Sequence, residues 1–215
     1  MPEISDLHYI TQDHVKDFSH AQLAEVACQG GVKWVQLRTK NAYEKDWELH
    51  ASQTQAVCKK YGAKFIINDN PTLAKALKAD GVHLGKTDMD PAEAREILGK
   101  GFIIGGTAND FEDILRLADA NVDYIGLGPF RFTQTKEKLS PVLGLEGYQK
   151  IMDQCRINNI HIPVIAIGGI KPEDINGILK TGIHGIAVAS AINLAENKQE
   201  SAARYIETLE KAALS

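Results

Sequence analysis

The chain has 215 residues, a net charge of −4 and a pI near 6.0. That balance excludes a general nucleic-acid or membrane-surface binder, while leaving room for a local cationic pocket. Hydrophobic residues at 44% and charged residues at 24% fit an ordinary soluble globule, and 215 residues suffice for one full core over 1–215, a single domain.

Short apolar runs alternate with helical patterns along the chain. Leu7-His8-Tyr9-Ile10 reads as the first strand. Ser19 reads as an N-cap, and Leu23, Val26 and Ala27 give the following helix its apolar spacing, up to Gly30-Gly31. Lys33 to Leu37 is strand two, and Glu44 to Tyr61 is a long helix closed by Gly62. Phe65-Ile66-Ile67 is strand three, and Pro71 opens a helix to about Lys78. Gly81 to Leu84 is strand four, and Asp90-Pro91-Ala92-Glu93 starts the next helix. Phe102-Ile103-Ile104 is strand five, before a helix from about Asp110 to Asp119. Asp123 to Gly126 is strand six, and the helix after it runs from about Leu145 to Ile157. Pro163 to Ile167 is strand seven, and Lys171-Pro172-Glu173-Asp174 begins another helix. Gly185 to Val188 is strand eight, with one last helix reaching Ala213.

Strands that are apolar throughout and separated by helices indicate a parallel sheet covered on its outer face. Eight such units in this length match the α/β fold of a (β/α)8 TIM barrel. An open doubly wound sheet is the alternative. It predicts a glycine-rich turn after strand one, where this chain has Thr11-Gln12-Asp13-His14-Val15. Met1 to Asp6 lacks the features of a signal peptide, and the apolar stretch at Val164 to Ile170 is too short to span a bilayer. Cys28, Cys58 and Cys155 are widely spaced and odd in number, so a reduced, cytoplasmic setting is expected rather than a disulfide framework.

Chemistry in a barrel sits at the C-terminal ends of its strands, and polar residues recur there. Strand two ends Gln36-Leu37-Arg38-Thr39-Lys40. By alternation Gln36, Arg38 and Lys40 face one way and Val35 and Leu37 the other. Buried cations need a partner, either an anionic ligand or a structural ion pair. Strand three ends Asn68-Asp69, and Asp88 follows strand four. Two carboxylates at adjacent strand ends suit Mg²⁺ together with ligand phosphate oxygens. Asp69 equally suits the N-cap of helix three, and Asp88 or Asp90 that of helix four. After strand five, Gly105-Gly106-Thr107-Ala108-Asn109 offers a hydroxyl at Thr107, beside Asn109. Gly168-Gly169 and Ala189-Ser190 close strands seven and eight, where many barrels bind a phosphate. The long connection after strand six carries Gly126-Leu127-Gly128-Pro129-Phe130-Arg131-Phe132-Thr133-Gln134-Thr135-Lys136. Its hydroxyls and lysine suit a phosphate better than they suit packing. His83 alternates with Val82 and Leu84 and reads as a satisfied interior residue; Asp80 and Asp123 precede strands and read as stabilising.

These stretches together resemble the thiamine phosphate synthase family. The resemblance rests on Gln36 to Lys40, Ile67-Asn68-Asp69, Ala79 to Gly85 followed by Asp88, Gly126 to Pro129, Thr133 to Lys136, Ala166 to Ile170 and Ala189 to Ile192. It implies a transferase joining 4-amino-2-methyl-5-(diphosphooxymethyl)pyrimidine to 4-methyl-5-(2-phosphooxyethyl)thiazole, with diphosphate released. It implies that Gln36, Leu37, Arg38, Thr39, Lys40, Asn68, Thr107 and Lys136 contact the pyrimidine diphosphate. Asp69 and Asp88 match the Mg²⁺ ligands, and Thr133, Gln134, Thr135, Gly169, Ala189 and Ser190 match the thiazole phosphate site. Arg38, Lys40 and Lys136 are the expected catalytic cations. A homodimer is expected by analogy alone. The chain departs from the family pattern at Lys86, at Thr107-Ala108-Asn109 and at Phe130-Arg131-Phe132. The competing readings are a thiazole tautomerase-like isomerase, which needs acid–base groups and no diphosphate site, and a non-catalytic phosphate-ligand binder.

Overall fold

A computed structural model of the chain describes residues 2–39, 44–132 and 141–214. Eight strands pair in sequence order, every pair parallel, and β8 returns to β1 to close a barrel. They are β1 (Leu7–Ile10), β2 (Trp34–Leu37), β3 (Lys64–Asn68), β4 (Gly81–Leu84), β5 (Ile103–Ala108), β6 (Tyr124–Leu127), β7 (Val164–Ile167) and β8 (Gly185–Val188). Helices α1 (His20–Gln29), α2 (Glu44–Tyr61), α3 (Pro71–Leu77), α4 (Pro91–Leu98), α5 (Phe111–Asp119) and α6 (Gly144–Ile157) follow the first six strands in turn. A 3₁₀ turn at Pro172–Asp174 leads into α7 (Ile175–Lys180), and α8 (Ser190–Asn193) and α9 (Lys198–Ala213) follow β8. None of these helices is long and apolar enough to cross a membrane.

The strands read as unbroken apolar runs because both of their faces are buried. Outward residues such as Val35, Leu37, Ile67, Val82 and Ile125 pack with the helices in the larger core. Inward residues form a second, smaller core of Ile4, Ile10, Trp34, Ile66, Ile103, Tyr124, Ile165 and Ala187. His8 lies in this inner layer, stacked on Trp34 with ring centroids 4.1 Å apart. Burial holds its pKa well below the ordinary histidine value, so it stays neutral.

The N-terminal rim is tied by the two carboxylates expected to be structural. Asp80 accepts from the Phe65 amide at 2.9 Å and pairs with Lys64 at 2.8 Å. Asp123 accepts from the Ile104 amide at 2.8 Å and pairs with Arg95 at 2.7 Å. Buried Asn193 of α8 links back to the first strand. It accepts from the Tyr9 hydroxyl and donates to the Ile10 carbonyl at 2.9 Å.

Two elements differ from the sequence reading. Strand five was expected to stop at Ile104 but runs on through Gly105-Gly106-Thr107-Ala108, paired with β4 and β6 on either side. Glycines usually weaken a strand, but here one of them makes room: a Cβ on Gly105 would stand 2.1 Å from the Tyr124 ring. The expected single last helix is two, because Asn197 caps a new helix by accepting from the Glu200 amide.

Gly105→Ala should therefore destabilise the protein by about 1–3 kcal/mol or more, as overpacking does. Urea unfolding of that variant checks this, and Gly105→Ala combined with Tyr124→Leu should recover much of the loss.

Candidate active site

The mouth of the barrel is built by the residues just above the inner apolar layer. Gln36 on β2 and Asn68 on β3 face inward, only 4% and 7% exposed, and the Gln36 amide donates to Asn68 Oδ1 at 2.6 Å. Two buried amides that satisfy one another cost little and retain further donors and acceptors for a ligand. Asn68 lies opposite His83 on β4. His83 contacts the Tyr124 hydroxyl through Nδ1 and the Thr107 hydroxyl through Nε2, each at 3.0 Å. The histidine is thus a satisfied interior group, as expected, and it holds Thr107 at the mouth.

Asp69 leaves β3 with φ at 64°, the left-handed region where Asp and Asn are tolerated better than most residues. Its amide donates to the His83 carbonyl at 2.9 Å. It is not the cap of α3: Asn70 is, accepting from the Leu73 amide. Nor does Asp88 cap α4, a role taken by Asp90. Asp88 folds back to accept from the Gly85 amide at 2.6 Å. Both capping alternatives are thereby removed, and the two carboxyl groups meet each other. Burial, and then the hydrogen bond and charge of Asp88, push the Asp69 pKa up to about 7. Arg38, just beyond β2, acts in the opposite direction on Asp69. Burial lowers the pKa of Arg38 itself, against the opposing pull of Asp69 and Asp13.

Among the described residues no cluster of three or more His, Cys, Asp or Glu side chains could hold a metal ion. Two neighbouring carboxyl groups are still a good fit to Mg²⁺, which commonly takes one or two protein carboxylates and completes its shell with substrate oxygens and water. The contact is unfavourable for two anions and is relieved by a cation.

The side chain of Leu37 points into the outer core, fully buried, which leaves only its backbone for a ligand; Thr39 is also buried. Lys86 pairs with Asp113 of α5 at 2.7 Å, and the same carboxylate oxygen accepts from the Asn109 amide. The Asn109 side chain donates to the Gly128 carbonyl. These two departures from the family pattern thus brace the β4, β5 and β6 ends.

On the far side of the mouth, Ile167 pairs with Ala187, so Gly169 and Ala189 leave the barrel side by side. Ser190 opens α8 next to them. Gly168 and Gly169 have φ of 107° and 66°, and the first is a conformation that only glycine adopts cheaply. Arg131 reaches them from the connection after β6. It forms a two-pronged ion pair with Asp174, both contacts at 2.9 Å, and also donates to the Gly169 carbonyl. Arg131 and Asp174 had no assigned role from the sequence. The signal that marked Arg131 was its position in a departure from the family pattern. Lys40, Thr133, Gln134, Thr135 and Lys136 lie outside the described residues.

A closed parallel barrel that gathers Arg38, Asp69, Asp88 and a glycine-rich β7 end at one mouth places the chain in the class of (β/α)8 barrels. Comparison with known proteins narrows this. Residues 7–192 match the family model described as thiamine monophosphate synthase, and the chain belongs to that family. It is 54% identical over 188 residues to the thiamine-phosphate synthase of Phocaeicola vulgatus, covering 87% of this chain and 89% of the relative. It is 51% identical over 193 residues to that of Flavobacterium johnsoniae, covering 90% and 91%. The solved structure of thiamine phosphate pyrophosphorylase from Pyrococcus furiosus superposes with a TM-score of 0.85 at 32% identity, over 96% of both chains. The chain is accordingly an enzyme of the transferase class to which these relatives belong.

The Asp69–Asp88 contact carries a pH signature. A carboxyl with a folded-state pKa above its unfolded value holds a proton that unfolding releases, so stability falls as pH rises from about 4 to about 7. In EDTA, Asp69→Asn should therefore raise the melting temperature more at pH 8 than at pH 5, by about 2–4 °C per kcal/mol relieved. Equal effects at both pH values would remove the contact from the account.

Proposed function

We propose that this enzyme couples the pyrimidine methyl diphosphate to the thiazole phosphate, giving thiamine phosphate and free diphosphate. The observation that carries the reading is the convergence of Arg38, Asp69 and Asp88 beside the buried Gln36–Asn68 pair. Cation and carboxylates together are what a metal-bound diphosphate requires.

Asp69 and Asp88 would hold Mg²⁺, which when bound supplies counter-charge for the departing diphosphate oxygens. Arg38 adds a fixed positive charge on the same side, and by family resemblance Lys40 and Lys136 do the same. Charge that is already in place where it develops lowers the barrier without solvent reorganisation. Gln36 and Asn68 orient the aminopyrimidine, and Thr107, held by His83, offers its hydroxyl at the same mouth. The C–O bond ionises first, leaving a pyrimidine methyl cation. The thiazole nitrogen then attacks this cation, so the protein needs no nucleophile of its own; it needs to position the two partners. Gly169, Ala189 and Ser190, with Thr133, Gln134 and Thr135 by resemblance, would seat the thiazole phosphate.

An isomerase reading requires a free acid–base pair at the mouth. His83 is committed to Tyr124 and Thr107, and position 109 is an asparagine bonded to Gly128, so the transferase reading is favoured. Residence in a reducing cytoplasm and assembly as a homodimer belong to the same proposal. Cys28, Cys58 and Cys155 are free and buried, and burial raises the pKa of each, which suits inert structural thiols.

The test mixes purified protein, both substrates and Mg²⁺ and assays thiamine phosphate, with EDTA as control. Asp69→Ala and Lys136→Ala should each lower turnover by at least about a hundredfold while circular dichroism stays unchanged. Near-normal turnover by either variant would refute its assigned role.

A further inference from the structure

The β7 end is held by its carbonyls. Ile167 O accepts from the Phe130 amide at 2.8 Å, and Gly168 O from the Arg131 amide at 2.9 Å. Gly169 O accepts from the Arg131 guanidinium. Three consecutive carbonyls thus turn toward the connection after β6. In a trans peptide the following N–H points opposite to the carbonyl. The N–H groups of Gly168, Gly169 and Ile170 are therefore directed away from that connection, and those of Gly169 and Ile170 have no hydrogen-bond acceptor among the described residues. Successive N–H groups presented by left-handed glycines form a concavity suited to an anion.

The third of these carbonyls is fixed by a side chain. The first two bonds are made by backbone and survive substitution at 131. The bond to Gly169 O depends on the guanidinium, whose orientation depends on Asp174. Asp174 is itself anchored by the Lys171 amide at 2.8 Å and is 13% exposed in its side chain. Arg131 also lies over the Phe130 ring, 5.0 Å from its centroid. A planar fork held at both ends sets a peptide plane more rigidly than a lysine ammonium does.

We propose that Arg131 is a positioning residue for phosphate recognition: clamped between Asp174 and the Gly169 carbonyl, it holds the Gly169–Ile170 peptide so that its N–H faces the phosphate of the thiazole substrate. The proposal rests on the reading that this β7–β8 end seats that phosphate. Arg131 itself does not touch the ligand.

The test compares binding of the thiazole phosphate with binding of the same thiazole alcohol lacking phosphate, by calorimetry, in the full-length parent and in Arg131→Met, Arg131→Lys and Asp174→Asn. The parent should prefer the phosphate ester. Losing a charge-assisted hydrogen bond should reduce that preference about tenfold in Arg131→Met, with Arg131→Lys intermediate. Asp174→Asn, which keeps an acceptor for the Lys171 amide, should shift it the same way. In turnover, KM for the thiazole phosphate should rise while KM for the pyrimidine diphosphate moves by less than about twofold. A parent that prefers the ester alongside an Arg131→Met variant with the same preference would overturn the role of Arg131 and leave the site reading standing. A parent with no preference for the ester overturns both. A variant in which both KM values rise together marks Arg131 as merely structural and also overturns the proposal.

Discussion

Two carboxyl groups in contact organise this mouth. Asp69 and Asp88 are brought together from adjacent strand ends, one in a left-handed backbone conformation and the other folded back onto Gly85. Burial and the neighbouring Asp88 push the Asp69 pKa up to about 7, so an ionised Asp69 is costly here. The chain accepts that cost beside a partly buried arginine and a pair of buried amides. Stability alone would not select such a cluster, since apolar packing would serve better. The ligand set proposed above, a divalent cation together with an anion, would account for it.

The remaining parts serve to hold that cluster still. The inner apolar layer, with Trp34, Tyr124 and neutral His8, fills the barrel below the mouth and leaves no route for the polar groups to sink. Gly105 admits the Tyr124 ring, and Tyr124 in turn supports His83, which carries Thr107. Chain segments far apart in sequence are thus linked through one aromatic side chain. The structural carboxylates Asp80 and Asp123 work at the opposite rim, away from the candidate site.

The places where this chain differs from the family pattern are informative. Lys86 and Asn109 are not loose substitutions; both are absorbed into a network around Asp113 and Gly128 that ties three strand ends together. Arg131 is absorbed likewise, but at the β7 end, through Asp174 and the Gly169 carbonyl.

Much of this was legible in the residues. Strand runs such as Phe65-Ile66-Ile67 and the alternation of Gln36 and Arg38 with Val35 and Leu37 followed from local periodicity, which needs no knowledge of distant partners. So did Asp90 and Pro91 at the start of α4. Other features were ambiguous because local chemistry permits two roles. A carboxylate just after a strand caps a helix or binds a ligand with equal ease, and only the meeting of Asp69 with Asp88, with Asn70 and Asp90 doing the capping, separated the two. The extension of β5 through two glycines was hidden for the same reason, since Gly105 makes room for a ring contributed by β6 and Gly106 for Leu117 of α5. The residues determined the barrel and the types of group gathered at the C-terminal ends of its strands. Tertiary structure alone decided which groups touch, because contacts between residues tens of positions apart depend on strand register and closure, which no local pattern encodes.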